Sequence, residues 1–119
     1  MKHALITGAS SGLGFESAKA LAELGYKITM VARREERLTK AADRIRSTNP
    51  EAVVEEFVLD ISNLDSVREF AKGIQAVDLL MNNAGLMGPD FKLSIEGIES
   101  QMATNHIGHF LLTALLWPK

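Results

Sequence analysis

Gly8, Gly12 and Gly14 fall in the run Thr7-Gly8-Ala9-Ser10-Ser11-Gly12-Leu13-Gly14, between an apolar segment and a helical pattern. Residues of that type and spacing suit a pyrophosphate. Glycine allows a tight turn, lets the backbone approach a phosphate and lets a helix sit close on its strand. The free N–H groups at the start of the helix then face the anion. Gly8, Ser10, Ser11, Gly12, Leu13 and Gly14 are therefore candidate cofactor-binding residues. The spacing is G-x-x-x-G-x-G, and no lysine follows Gly14, which disfavours the triphosphate loop G-x-x-x-x-G-K-[ST]. Taken alone, the run also serves as an ordinary strand-to-helix turn.

Arg33 and Arg34 close the second apolar strand, where a dinucleotide-binding protein reads the adenosine ribose. An acidic residue there would accept from a 2′-hydroxyl and favour NAD. A guanidinium instead has the fork that matches a 2′-phosphate. The expected cofactor is NADP(H) in preference to NAD(H), with Arg33 the principal contact and Arg34 a secondary one; two solvated arginines are the other reading. Asp60 is an acceptor at the carboxyl end of the third strand, within reach of an adenine, or simply a turn-forming aspartate. Asn82 and Asn83 follow the fourth strand, where an asparagine side chain, Asn82 above all, also serves to tie neighbouring strands. Asn105 is polar in an apolar helical stretch and needs a partner. His106 and His109 stand too much alone for a metal site, which usually needs three or four ligands.

The elements that must position these residues alternate along the chain. Ala4 to Ile6 reads as a buried strand, and Ala18, Leu21 and Ala22 as one face of a helix ended by Gly25. Tyr26 begins a second strand that includes Ile28 to Ala32. Leu38, Ala41, Ala42 and Ile45 then give a helix ended by Asn49-Pro50. Val53 to Leu59 is a third strand whose Glu55 and Glu56 suggest a sheet edge. A helix carrying Val67, Phe70, Ala71 and Ile74 follows a capping box formed by Ser62 and Asp65. Val77 to Met81 is a fourth strand apolar enough to be buried on both faces, and a long helix runs from about Ile95 to Trp117.

This alternation predicts an α/β fold, a Rossmann-like doubly wound parallel sheet of strand order 3-2-1-4 that ends with the fourth strand and its following helix. Its switch point lies between strands one and four, beside the glycine turn and Asn82 to Gly85.

Composition bounds the function further. The 119 residues are 46% hydrophobic and 24% charged, which is ordinary for a globular domain. A net charge of −2 with interspersed signs gives no footprint for nucleic acid. Cysteine is absent, which rules out thiolate chemistry in these residues and fits a reducing, cytoplasmic setting. The apolar segment from Phe110 to Trp117 is shorter than the ~20 residues of a membrane span.

Together, the glycine run, Asp60-Ile61, Asn82-Asn83-Ala84-Gly85 and Asn105-His106-Ile107-Gly108-His109-Phe110 resemble the short-chain dehydrogenases/reductases, the last run most resembling their retinol-dehydrogenase-like branch. The resemblance covers the whole chain. It implies that Asp60 holds the adenine amino group with help from the backbone of Ile61, and that backbone groups of Asn83, Ala84 and Gly85 line the ribose and nicotinamide. It implies too that Asn105 belongs to the catalytic tetrad, bending its helix and holding a water of the proton relay.

The family's serine and its Tyr-x-x-x-Lys pair are not in these residues; the one tyrosine, Tyr26, has Met30 four positions on and a packing role. The chain thus reads as an incomplete dinucleotide-binding domain over residues 1–119, the amino-terminal part of an oxidoreductase for an alcohol or carbonyl substrate, inactive by itself. A non-catalytic nucleotide-binding module and a nonfunctional truncated product are the alternatives. A fourth strand left as an open edge predicts marginal stability and self-association, including a homo-oligomer.

Overall fold

The computed structural model describes residues 1–84 and 107–119 of the chain. The described residues fall into two compact units, Met1–Val58 with Val77–Asn83, and Leu59–Ala76 with Ala84–Lys119.

The first unit is built on a parallel sheet. Its strands are β1 (His3–Thr7), β2 (Lys27–Ala32), β3 (Val54–Val58) and β4 (Leu79–Met81), in the order β3-β2-β1-β4. Helix α1 (Gly12–Glu23) links β1 to β2, and α2 (Glu35–Thr48) links β2 to β3. The expected strand order is thus observed. The register pairs Thr7 with Val31 and Ile6 with Met81, so the carboxyl ends of three strands lie side by side.

Ala4, Ile6, Ile28 and Met30 are buried with Ala18 and Ala22 of α1 and Leu38, Ala41, Ala42 and Ile45 of α2. Burial of a side chain such as Leu38 or Ile45 contributes about 1.5–3 kcal/mol. Helix α1 ends as the glycine predicts. Gly25 has φ +89°, its N–H donates to the Ala22 carbonyl, and the Tyr26 N–H donates to the Leu21 carbonyl. That pair of bonds is a Schellman closure, which needs a left-handed residue at this position. Tyr26 lies just before β2 rather than in it and packs, half-buried, against the core.

Two strands are shorter than the pattern suggests. β3 begins at Val54 and ends at Val58, and its acidic residues are engaged: Glu55 pairs with Lys27 at 3.0 Å and Glu56 with Arg46 at 2.8 Å. β4 is confined to Leu79–Met81 and is not buried on both faces; Leu79 is exposed. Among the described residues β4 pairs only with β1. The preceding residue exchanges a reciprocal pair of bonds with the sheet instead of extending the ladder. The His3 N–H donates to Asp78 Oδ2 and the Asp78 N–H donates to the His3 carbonyl, both at 2.8 Å.

The second unit contains α3 (Leu64–Lys72) and α4 (His109–Leu116). Val67, Ala71, Ile74, Leu112 and Leu116 are buried. The residue that caps α3 is Asn63, whose side chain accepts from the Ser66 N–H at 3.2 Å, and not the predicted Ser62 and Asp65 pair. Ser62 is held elsewhere, in the turn made by Asp60. At the other end of α3 the Lys119 ammonium donates to the carbonyls of Ala71 and Ile74 at 2.7 and 2.8 Å. A cation there complements the negative end of the helix dipole. The long final helix is observed as α4 at its carboxyl end; residues 95–106 of its expected span, Asn105 among them, lie outside the described residues. Among the described residues no helix is long and apolar enough to cross a membrane.

Candidate functional site

The glycine turn joins β1 to α1 and is the centre of the candidate site. Gly8 and Gly12 have φ of +62° and +59°, in the left-handed region that side chains disfavour. Gly14 is needed for a different reason. A Cβ there would overlap the Gly8 carbonyl oxygen and lie 2.6 Å from Asn83 Nδ2. Gly14 thus lets the first turn of α1 press directly on the end of β1.

Ser11 is the N-cap of α1, in extended conformation, and its side chain makes no capping hydrogen bond. No acidic residue stands in the first turn of the helix. An anion approaching this end therefore meets backbone N–H groups and the positive end of the helix dipole without a competing carboxylate. Ser11, Gly12 and Leu13 are exposed, Leu13 by 75%. Ser10 is half-buried and Gly14 buried.

Asn83 fastens this turn to β4. Its side-chain Nδ2 donates to the Gly8 carbonyl at 3.2 Å, and its backbone N–H donates to Thr7 Oγ1 at 2.9 Å. The Thr7 hydroxyl in turn donates to the Met81 carbonyl at 3.4 Å. Thr7 is completely buried, so its hydroxyl must find partners within the protein. Sequence reasoning quoted Thr7 as part of the motif and assigned it nothing. The missed signal is a hydroxyl at the end of an otherwise apolar, buried strand. Asn83 makes a tie between strand and turn of the kind expected of Asn82, and its N–H is consequently occupied.

The Ala9 N–H donates to the Val31 carbonyl at 3.2 Å, which sets the glycine turn beside the end of β2. Arg33 and Arg34 follow directly. Both are exposed, and neither side chain makes an ion pair or hydrogen bond among the described residues. Lys27 and Arg46 of the same unit, by contrast, are held by carboxylates.

Asp60 and Ile61 belong to the second unit. Asp60 is exposed and forms a turn: one carboxylate oxygen, Oδ1, accepts from the Ser62 N–H at 2.9 Å and from its hydroxyl at 2.7 Å. The turn-forming reading of this aspartate is therefore real, and it engages Oδ1. Ile61 is buried. Ala84 is half-buried, while Gly85 and Asn105 lie outside the described residues. His109 is buried, and among the described residues no cluster of three or more His, Cys, Asp or Glu could hold a metal ion.

A parallel sheet of order 3-2-1-4 with this turn at its first crossover is a Rossmann-like α/β fold, and sequence comparison gives the family. The family model for short chain dehydrogenases matches residues 2–119, and the chain belongs to that family. It is 43% identical to the short-chain dehydrogenase TIC 32 B, chloroplastic, of Brassica napus, over 98% of this chain and 38% of that protein. It is 40% identical to human retinol dehydrogenase 13, over 99% of this chain and 37% of that protein. The chain therefore spans less than two fifths of the length of these relatives.

Among solved structures it resembles a protein from Mycobacterium Paratuberculosis at TM-score 0.90 and 42% identity, covering 99% of this chain and 42% of the other. A metagenomic short-chain oxidoreductase in complex with NADP matches at TM-score 0.84 and 28% identity, covering 98% of this chain and 55% of the other.

Proposed function

We propose that this chain is the amino-terminal, cofactor-binding part of an NADP(H)-dependent short-chain oxidoreductase whose whole protein acts on an alcohol or carbonyl substrate. Residues 1–119 form an incomplete dinucleotide-binding domain in this reading. The observation that carries it is the packing at Gly14, where the space a Cβ would fill is taken by the Gly8 carbonyl and Asn83. A turn needed only to reverse the chain would not require so close an approach of helix to strand.

Gly8, Ser10, Ser11, Gly12, Leu13 and Gly14 hold the pyrophosphate through backbone N–H groups at the start of α1. Arg33, supported by Arg34, takes the 2′-phosphate; their exposure, their lack of carboxylate partners and the NADP-complexed relative all favour this. Asp60 accepts from the adenine amino group through Oδ2, since Oδ1 is engaged with Ser62, and the backbone of Ile61 assists. Asn83 uses its N–H on Thr7, so it positions the turn and offers its carbonyl, with Ala84 and Gly85, to the ribose and nicotinamide. Asn105 holds a relay water.

When bound, the cofactor supplies or accepts a hydride. The proton must come from a donor beside the substrate oxygen, and these residues hold no tyrosine with a lysine four positions on. We propose that they bind cofactor without turning it over unaided.

Titration of NADP and NAD against wild type and Arg33→Ala tests the preference. NADP should bind more tightly to wild type, and the variant should lose about tenfold or more for NADP alone, given about 1.5–3 kcal/mol for a charge-assisted bond. Equal affinity of the wild type for both cofactors would remove the preference.

A further inference from the structure

A second cationic feature lies in the same unit, in the groove between α1 and α2, and belongs to none of the residues assigned to the cofactor. The groove has a volume of about 160 Å³ and is lined by Phe15 and Lys19 of α1 and by Arg44, Ser47 and Thr48 of α2. The Arg44 guanidinium stacks over the Phe15 ring, 4.5 Å from its centroid, and Phe15 is only 5% exposed beneath it. Two hydroxyls line the groove, but their hydrogens are directed to carbonyls of α2: Ser47 donates to Asp43 at 2.8 Å and Thr48 to Arg44 at 3.2 Å. The donors left facing the groove are therefore Lys19 and Arg44.

Neither cation has a carboxylate within ion-pairing distance among the described residues, although Arg46, on the same helix as Arg44, engages both Asp43 and Glu56. Two positive charges lining one groove repel each other and raise the local potential. The cation–π contact with Phe15 restrains the Arg44 side chain, and the N–H edge of its guanidinium makes no hydrogen bond among the described residues. That edge matches the paired oxygens of a phosphate ester or carboxylate.

We infer that the α1–α2 groove is an oxyanion-binding site, with Arg44 presenting the fork and Lys19 the second charge. It goes beyond the cofactor reading and does not depend on it.

Residue-resolved chemical footprinting on the full chain tests this. Lysines are acetylated and arginines modified by a dicarbonyl reagent, in sodium phosphate, in sodium acetate and in sodium chloride at one ionic strength, with mass spectrometry of the products. Phosphate should slow modification of Lys19 and Arg44 saturably and leave the exposed Lys40 unchanged. In Arg44→Gln the protection of Lys19 should be lost, and in Lys19→Gln that of Arg44, with circular dichroism confirming that both variants are folded.

Protection by phosphate alone assigns the site to phosphate esters, and protection by both salts assigns it to oxyanions generally. No protection in the unmutated chain, equal protection at Lys40, or protection of each residue that survives loss of the other would overturn the inference. An unchanged result in Arg33→Ala would separate this site from the proposed 2′-phosphate contact, whose own failure would show only in the NADP titration.

Discussion

Gly14 and Asn83 set the local geometry on which the candidate site depends. Gly14→Ala introduces a methyl group into the Gly8 carbonyl, so either α1 shifts or the turn opens. Both a lower Tm and loss of measurable NADP binding are expected; binding retained at wild-type strength would show that the close approach is dispensable. Thr7→Val isolates a different contribution. It preserves shape but removes the hydroxyl that accepts from the Asn83 N–H and donates to the Met81 carbonyl, while that N–H keeps its 3.0 Å bond to Met81, so a loss of about 0.5–1.5 kcal/mol per hydrogen bond is expected. Urea denaturation should show that loss with little change in slope. Of these three residues, only Gly14 was assigned its role from the sequence, because glycine spacing directly reports backbone approach. The Thr7 and Asn83 tie joins positions 76 residues apart, and no local pattern encodes such a partnership.

At the scale of elements, the edge strand β3 is fastened to α2 through one arginine. Arg46 reaches Glu56 at 2.8 Å, Asp43 at 3.1 Å and the Val54 carbonyl at 2.9 Å, while Thr39 donates to the other Glu56 oxygen at 2.8 Å. Burial alone would raise the Glu56 carboxyl, but the bonds from Arg46 and Thr39 and the arginine's charge outweigh it and hold the group below its ordinary value of 4.5. The Arg46 guanidinium is correspondingly raised, chiefly by its bond to Glu56.

A folded-state carboxyl that is depressed stabilises the protein fully above the unfolded value and loses that contribution as pH falls through the folded one. Glu56→Gln should therefore flatten the fall in Tm from about pH 4.5 downward. An unchanged acid limb would show that Glu56 does not carry the effect. In the sequence Glu55 and Glu56 suggested an edge, which is where β3 lies. Their partners on β2 and α2 became visible only once those elements were adjacent.

At the scale of the whole molecule, the proposed cofactor binding should be separable from turnover. The described residues include the strand order, the glycine turn and the arginines, whereas the tyrosine-lysine chemistry of the family is not among these 119 residues. NADPH should bind the chain, yet mixing it with simple aldehydes or ketones should produce no absorbance change at the wavelength that follows NADPH oxidation. Turnover by the chain alone would overturn the division of labour proposed here.

Fold class, strand order and family were legible from the chain itself. Each depends on information written locally: apolar periodicity, glycine spacing, and short motifs in a set sequence. Other features depended on which segments meet in space. Asn63 displaced the predicted capping pair because Ser62 was taken by the Asp60 turn, and β4 shortened where His3 and Asp78 exchange bonds. The Phe15–Arg44 groove joins two helices separated by a strand, and the Thr7–Asn83 tie joins two ends of the unit's chain path. Hydrogen bonds and ring contacts are satisfied at a few ångströms regardless of sequence distance, so only the tertiary structure decided them.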